Sequence, residues 1–191
     1  MDINPFGNRP DEWALYDPLV GKTMLELGGK QNPDLIKGEH LTYKAYFESL
    51  GFKHISIDWN GLWGAIKRDL RNPLWDEFGQ FSMVTNFGTT EHVDGQRGVW
   101  ENIHHLVEPG GVYIGQTPYH DGRSWWWHGE HYPTEEFFES FCELNGWTLE
   151  RMYVDREVPF ENLYVRMYKP GPGVFTMPDS SLIKRNIRRK R

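Results

Sequence analysis

An apolar run that ends at two glycines constrains the fold of this chain more than any other feature. Residues 23–32 read TMLELGGKQN, so an acidic residue and the pair Gly28 and Gly29 follow the first apolar positions. A short apolar run that leads into glycines is typical of a buried parallel strand entering a tight turn. Because glycine has no side chain, a ligand can approach the backbone of such a turn closely. The sequence therefore predicts the first strand of an α/β sheet, with a ligand-binding turn behind it.

Length and composition indicate one globular domain. The chain has 191 residues, of which 38% are hydrophobic and 15% aromatic, and a chain of this size buries one sizeable core. No apolar run approaches the roughly 20 residues that cross a bilayer, and the first residues lack the pattern of a secretion signal. The single cysteine, Cys142, cannot form an internal disulfide. We therefore expect a soluble, cytoplasmic protein without a membrane partner.

The charge is distributed unevenly along the chain. The last eight residues, KRNIRRKR, hold six of the 21 lysines and arginines. The rest carries 15 basic and 27 acidic residues, so its net charge is about −12. An acidic body repels nucleic-acid backbones, whereas a basic tail adds affinity that does not depend on base sequence. A tail that is solvated or pairs with the acidic body is the favoured interpretation, and nucleic-acid binding through the tail is the alternative.

Apolar runs recur along the chain with helix-like stretches between them, which is the pattern of repeated strand, helix, strand units. After the first strand, further strands are predicted at 54–58, 81–87, 112–115, 147–154 and 160–168. Helices are predicted at 34–50, 62–66, 94–107 and 134–145, the last with Thr134 as its cap and Gly146 as its end. Residues 169–181 are rich in proline, glycine and serine and are expected to be irregular.

Taken together, several of these pieces resemble the class I S-adenosylmethionine-dependent methyltransferases from about Thr23 to Lys169. The resemblance rests on LELGG at 25–29, SIDWN at 56–60, RDL at 68–70, FSMVTNFGTTEHV at 81–93, LVEPGGVYI at 106–114 and YPTEEFFESFCELNGW at 132–147. It implies an α/β fold with a Rossmann-like, seven-stranded, mostly parallel sheet, helices on both faces and the last strand inserted antiparallel. It divides the chain into an N-terminal segment 1–22, a methyltransferase domain 23–169, and an irregular segment 170–191 with the basic tail.

The resemblance also implies the cofactor, S-adenosyl-L-methionine, at the carboxyl ends of the first strands. Asp58 would accept hydrogen bonds from both ribose hydroxyls, because a carboxylate offers two acceptor oxygens. The other positions that match are Glu26, Gly28 and Gly29 at the methionine end, Trp59 against the adenine, Asp69 at the adenine amino group, the Leu70 backbone beside it, and Asn86 and Phe87 near the methionine portion and the methyl group.

The glycine turn departs from the family pattern. Lys30 and Asn32 stand where the second and third glycines are common. The separation from Glu26 to Asp58 is longer than the roughly 20 residues of a dinucleotide fold, and a loop and helix before Gly51 would absorb the difference. The sequence G-x-G-x-x-G is absent, which argues against a nicotinamide dehydrogenase because Lys30 would obstruct a pyrophosphate. Adenosylmethionine has no phosphate and tolerates this loop more readily.

Methyl transfer depends mainly on alignment of nucleophile, methyl and sulfonium. If the acceptor is a hydroxyl, a general base helps, and histidine is the usual candidate. His92 follows the central strand and is expected to face the cleft, and Glu91 is the alternative.

The segment 118–133, PYHDGRSWWWHGEHYP, is predicted to recognise the acceptor. Its consecutive tryptophans suit a sugar or planar ring, or the covering of an interface. The substrate-binding candidates are Tyr119, His120, Trp126, His128 and His131. No metal is predicted, because the histidines and acids of this loop match no strong zinc spacing.

The sequence therefore favours a methyltransferase acting on a small acceptor, with a sugar or glycoconjugate hydroxyl favoured by the aromatic loop. The Asn-Pro-Pro-aromatic motif of the adenine-amino methyltransferases is absent after the strand 81–87, where the chain has Asn86, Phe87 and Gly88. Its absence argues against an enzyme of that group. Two alternatives stay open: a methyltransferase-fold binding or assembly subunit without turnover, and a nucleic-acid methyltransferase that uses the basic tail. A homo-oligomer is compatible with each.

Overall fold

The computed structural model describes residues 22–29, 42–119, 128–156 and 161–185. Within these ranges the strands are β1 (Thr23–Leu27), β2 (Lys53–Asp58), β3 (Ile66–Lys67), β4 (Phe81–Phe87), β5 (Val107–Pro118), β6 (His131–Pro133), β7 (Thr148–Asp155), β8 (Asn162–Tyr168) and β9 (Ile183–Arg185). The helices are α1 (Tyr43–Ser49), α2 (Trp75–Phe78), α3 (Gln96–Leu106) and α4 (Glu135–Asn145). No helix in the described part of the chain is long and apolar enough to cross a membrane.

Seven strands form one sheet in the order β3-β2-β1-β4-β5-β8-β7. The strands β1 to β5 pair with one another in parallel. The last of the seven along the chain, β8, is inserted antiparallel between β5 and β7. The predicted fold class, including the antiparallel insertion of the last strand, is confirmed.

Buried side chains form one core on each face of the sheet. Successive residues of a strand point to opposite faces, so Leu25 of β1 joins the larger core and Met24 the smaller one. In the larger core, Trp100 of α3 packs on Phe137 of α4 with ring centroids 4.7 Å apart. In the smaller core, Phe47 of α1 covers the other face. Helices therefore lie on both faces of the sheet, as the family resemblance implies.

The long helices begin and end close to the predicted residues. Thr134 caps α4, since its hydroxyl accepts a hydrogen bond from the Phe137 backbone N–H at 3.3 Å. Gly146 ends α4 in the left-handed conformation, with φ of 67°. The predicted helix 34–50 is confirmed over 43–49, with Thr42 as its cap, whereas residues 34–41 lie outside the described ranges.

The predicted helix at 62–66 is wrong. Gly61, Trp63 and Gly64 have φ of 67°, 58° and 83°, and a right-handed helix requires negative φ at every residue. The segment forms a turn instead, and its last residue, Ile66, begins β3.

The short elements β3 and α2 were not predicted at their positions, and two further features also differ from the prediction. The strand predicted at 112–115 starts earlier, at Val107, because Val107 pairs with Phe81 of β4. The glycines of the expected turn bond to the end of β8: Gly110 N–H donates to Lys169 O at 2.7 Å, and Lys169 N–H donates to Gly111 O at 3.0 Å. The second feature is a two-stranded antiparallel sheet of β6 and β9, so part of the predicted irregular segment 170–191 is a strand.

Candidate cofactor site

A cleft of about 910 Å³ lies at the carboxyl ends of the central parallel strands. This volume falls within the range of about 300–1,000 Å³ that is common for small-molecule sites. The chain leaves β1 toward β2 on one side and reaches β4 on the other, which makes this end of the sheet the expected binding position. The predicted site residues that line the cleft are Gly29, Asp58, Trp59, Asp69, Leu70 and His92.

The glycine turn after β1 has space for hydrogen only. Gly28 has φ of +93°, and a Cβ there would lie 2.0 Å from Oγ1 of Thr89. A Cβ at Gly29 would lie 2.7 Å from the Leu62 carbonyl oxygen and 2.8 Å from Cβ of Ala65. Both glycines are therefore required for the loops after β2 and β4 to meet the turn after β1. Lys30 and Asn32 lie outside the described residues.

The carboxylate of Asp58, at the end of β2, fixes two of these loops. Its Oδ2 accepts a hydrogen bond from Gly29 N–H at 2.9 Å, and its Oδ1 accepts one from Asn60 N–H at 3.0 Å. Each carboxylate oxygen has a second lone pair. Asp58 can therefore hold both loops and still accept hydrogen bonds from two adjacent hydroxyls in the cleft.

The far wall of the cleft is the turn 69–72 after β3. Arg71 forms an ion pair with Asp69, with 2.6 Å between nitrogen and oxygen, and the hydrogen bonds from Arg71 lower the pKa of Asp69 below its ordinary value. Asp69 is therefore an ionised acceptor at the cleft. Trp59 stands at the rim with 76% of its surface exposed, so its ring is available to a ligand.

Asn102 of α3 anchors this wall, although its role was not predicted from sequence. Its side-chain amide donates to Leu70 O and to Asn72 O at 2.8 Å each, and its Oδ1 accepts from Leu74 N–H at 2.9 Å. Asn102 is buried, and an amide beside the apolar face of a predicted helix is the signal that marks it in the sequence.

Two predicted cofactor residues lie in the interior beneath the cleft. The carboxylate of Glu26 lies 3.3 Å from Nε2 of His54, and the His54 ring stacks on Phe47 of α1. Phe87 packs edge-on against Tyr43, with ring centroids 6.2 Å apart. Both residues lie in the layer between the sheet and α1, from which they support the strand ends.

Asn86, at the end of β4, shapes the turn that carries the predicted catalytic residues. Its Oδ1 accepts from Thr89 N–H at 3.2 Å and from Thr90 N–H at 3.1 Å, and its Nδ2 donates to Thr90 Oγ1 at 2.9 Å. From the other side, Gln96 Nε2 donates to Thr90 O at 2.7 Å and to Val93 O at 2.8 Å. These bonds hold residues Thr90–His92 as a rigid 3-10 turn at the edge of the cleft.

This turn places Glu91 and His92 next to each other. Glu91 is 1% exposed, whereas the His92 side chain is 40% exposed and lines the cleft. Oε1 of Glu91 lies 3.7 Å from Nε2 of His92 and 3.6 Å from Nε2 of His128. The predicted catalytic pair and one residue of the predicted acceptor loop therefore meet at one point.

The other acceptor-loop candidates are separated. Nε2 of His131 lies 3.1 Å from Oδ1 of Asp94, which lines the cleft. The Tyr119 ring packs under the Arg156 guanidinium, with 5.4 Å between Cζ and the ring centroid. His120 and Trp126 lie outside the described residues.

Solved structures with this fold include methyltransferases of different acceptors. A 1,6-didemethyltoxoflavin-N1-methyltransferase from Burkholderia thailandensis, bound to 1,6-didemethyltoxoflavin and S-adenosylhomocysteine, has a TM-score of 0.59 at 17% identity over 88% of this chain and 79% of that chain. A geranyl diphosphate C-methyltransferase from Streptomyces coelicolor A3(2), in complex with Mg²⁺, geranyl diphosphate and S-adenosyl-L-homocysteine, has a TM-score of 0.54 at 10% identity over 83% and 80%. An rRNA methylase from Streptococcus thermophilus has a TM-score of 0.52 at 13% identity over 85% and 97%.

No family model matches the sequence, and no curated protein matches it. At these identities, the likeness to the solved structures shows the fold alone. The strand order, the inserted antiparallel strand and this likeness agree with one another. The chain has the fold of the class I S-adenosylmethionine-dependent methyltransferases.

Proposed function

We propose that this protein is an S-adenosylmethionine-dependent methyltransferase that acts on a small acceptor with an oxygen nucleophile. The observation that carries the proposal is the cleft in which Asp58 offers two acceptor oxygens directly beside a close-packed glycine turn. Two of the similar structures hold S-adenosylhomocysteine, which supports the choice of cofactor.

The residues around the cleft fit this cofactor. Asp58 would hold the ribose hydroxyls, and the exposed ring of Trp59 would pack on the adenine. Ionised Asp69 would accept from the adenine amino group, beside the Leu70 backbone. Gly28 and Gly29 would border the methionine end of the cofactor. The strand ends beneath it would be supported by Glu26, Asn86 and Phe87. When bound, the cofactor supplies a methyl group activated by a sulfonium.

The acceptor would enter beside Glu91 and His92. These two residues are the proposed catalytic pair, because the exposed imidazole reaches the cleft and the buried carboxylate lies directly behind it. An acceptor hydroxyl loses its proton during transfer, and His92 is placed to receive it. The proposed acceptor-binding residues are Tyr119, His120, Trp126, His128 and His131, with a sugar or glycoconjugate hydroxyl as the favoured class.

The basic tail gives a second candidate function. Lys184 and Arg185 form part of β9, and Arg185 lies 3.7 Å from Asp94 of the cleft lining. The strongly basic end of the chain therefore begins close to the cleft. A nucleic-acid acceptor guided by the tail is the alternative, and its test is a salt titration.

The first experiment is calorimetric titration of the full-length protein with S-adenosylhomocysteine. Micromolar binding that is lost in Asp58→Ala is expected. The matched control is Asp76→Ala, which removes an exposed acid on α2 and should bind as the wild type does. If the folded wild type does not bind, the methyltransferase proposal fails and the binding-subunit alternative replaces it.

A further inference from the structure

We propose that Glu91, His92 and His128 form a binding site for a divalent transition-metal ion at the edge of the cleft. One ligand atom from each of the three residues lies within 4.8 Å of the other two. The two distances from Glu91 Oε1 to the imidazole nitrogens are 3.6 and 3.7 Å. In a tetrahedral site with metal–ligand distances of about 2.1 Å, neighbouring ligand atoms lie about 3.4 Å apart. Small rotations of the side chains therefore complete the site.

The buried carboxylate of Glu91 supplies a second, independent reason for a cation. Neither of its oxygens has a hydrogen-bond donor within reach among the residues that the structure describes. A buried carboxylate without a hydrogen bond is costly, because it loses its hydration without gaining a compensating bond. A cation between the carboxylate and the two imidazoles would remove this cost.

The backbone holds the two segments of the site together. Glu130 N–H donates to Glu91 O at 2.8 Å. Gly129 has φ of +70°, and a Cβ there would lie 2.8 Å from Cγ of Glu91, so only glycine lets the segment press this closely on the carboxylate. The Tyr132 hydroxyl donates to the carbonyl oxygens of His128 and Gly129. His128 is therefore placed beside Glu91 by fixed backbone contacts.

The donor set selects the type of ion. Imidazole nitrogens suit Zn²⁺, Co²⁺, Ni²⁺ and Fe²⁺, whereas Mg²⁺ and Ca²⁺ prefer ligand sets of oxygen alone. Three protein ligands leave a coordination position open, as in catalytic zinc sites. Since His92 lines the cleft, the open position would be accessible from the cleft.

A bound ion would hold the acceptor through its oxygen atoms and would lower the pKa of a hydroxyl that it contacts. This role rests on the proposed function, whereas ion binding itself does not. In the metal-bound protein His92 would be a ligand, and the direct uptake of a proton by His92 would apply only to the metal-free protein.

A second group, Asp94, Glu130 and His131, also brings three ligand atoms within 4.8 Å. Asp94 is exposed and already pairs with His131 at 3.1 Å and with Arg185 at 3.7 Å. The Asp94 carboxylate therefore already has cationic or donor partners. The second group lacks the buried carboxylate without a hydrogen bond that favours the first site. Zn²⁺ binding by a variant of His131 distinguishes the second group from the proposed site.

The test is calorimetric titration with Zn²⁺ alone, on untagged, full-length protein that has been treated with a chelator. In a separate measurement, the absorption spectrum of bound Co²⁺ reports the ligand geometry. One Zn²⁺ per chain is expected. The Kd should weaken by at least about 100-fold in Glu91→Gln and in His128→Ala, because even loss of a residue behind the ligands costs ~10- to 100-fold. The His131→Gln variant should bind Zn²⁺ with the same Kd as the wild type. Absence of binding in the wild type, unchanged binding in both site variants, or loss of binding in His131→Gln would overturn the site.

Thermal unfolding controls for misfolding. Glu91→Gln preserves the size of the side chain and removes a buried charge, so its Tm in chelator should equal or exceed that of the wild type. Zn²⁺ should raise the Tm of the wild type and not that of Glu91→Gln; equal shifts would contradict the site. S-adenosylhomocysteine titrated in chelator separates the two proposals. If the protein binds S-adenosylhomocysteine but not Zn²⁺, the metal site is overturned. If it binds Zn²⁺ but not S-adenosylhomocysteine, the methyltransferase proposal is overturned.

Discussion

Gly28 shows how a single residue determines the packing of the turn after β1 against Thr89, which lines the cleft. Alanine there would be forced into a left-handed backbone conformation and against Oγ1 of Thr89, 2.0 Å away. We expect Gly28→Ala to lower the free energy of unfolding by about 3 kcal/mol, from backbone strain and overpacking together. Urea denaturation measures this loss. Gly110 has φ of +85° and no neighbour within 4 Å of a built Cβ, so Gly110→Ala should cost only about 1–2 kcal/mol. Equal costs would show that the contact with Thr89 is unimportant.

His104 makes the stability depend on pH. Its buried ring lies between Trp147 and Phe175, and Nε2 donates to Gly173 O at 3.0 Å. Burial, reinforced by the nearby Lys169 ammonium, lowers the pKa of His104 below its ordinary value of 6.5.

The unfolded chain therefore takes up this proton before the folded chain does, and stability is lost as the pH falls from 6.5 toward the lower pKa of the folded state. We expect the Tm to fall between pH 7.5 and pH 5.5, and to fall less in His104→Gln. The same pH dependence in both proteins would assign the loss to other groups, such as His105, whose pKa burial also lowers.

Individual residues were predicted from sequence where the pattern is local. Gly29 and Asp58 stand at strand ends, so their place in the cleft follows from the order of apolar runs. Asn102 was missed because its partners lie between residues 70 and 74, far from it in sequence. The approach of His128 to Glu91 was missed for the same reason.

At the scale of elements, the contact between α3 and the turn 69–72 joins stability to cofactor binding. Asn102→Ala removes two donated hydrogen bonds and one accepted bond from this turn. We expect a loss of about 2–4 kcal/mol in unfolding free energy, at about 1 kcal/mol for each bond and more for the orphaned backbone groups. We also expect weaker binding of S-adenosylhomocysteine, because the wall that carries Asp69 and Leu70 loosens.

Asn145 of α4 offers a matched control. It is also buried, and it makes three comparable bonds, to Phe141 O, Thr176 O and Thr176 N–H. Asn145→Ala should lower the stability to a similar extent in urea denaturation and leave calorimetric cofactor binding unchanged under conditions in which both variants are folded. Equal loss of binding in the two variants would mean that the effect of Asn102→Ala is only general destabilisation.

Elements with their own periodic pattern were predicted well. The helices α3 and α4 each have an apolar face, and α4 also has a polar cap and a terminal glycine, so their bounds are within two residues of the prediction. The helix expected at 62–66 failed because positive φ at three nearby residues imposes a turn. The strands β6 and β9 have three residues each, which is too short for an alternating pattern to show.

At the scale of the whole molecule, the contrast between an acidic body and a basic tail tests the nucleic-acid alternative. Lys184 and Arg185 pair with β6, so removing them would disturb the fold beside the cleft. A chain that ends at Arg185 keeps β9 and lacks residues 186–191, which include the last four basic residues: Arg188, Arg189, Lys190 and Arg191.

If the tail binds single-stranded RNA, the full-length protein should lose affinity steeply with salt. Four phosphate contacts give a slope of about −3 in log K against log salt concentration. The shortened chain should bind more weakly at low salt and with a flatter slope, while its affinity for S-adenosylhomocysteine stays unchanged. Equal slopes would place RNA binding on the body despite its negative charge. No RNA binding by the full-length protein at low salt would remove the nucleic-acid acceptor and leave the small acceptor beside Glu91 and His92.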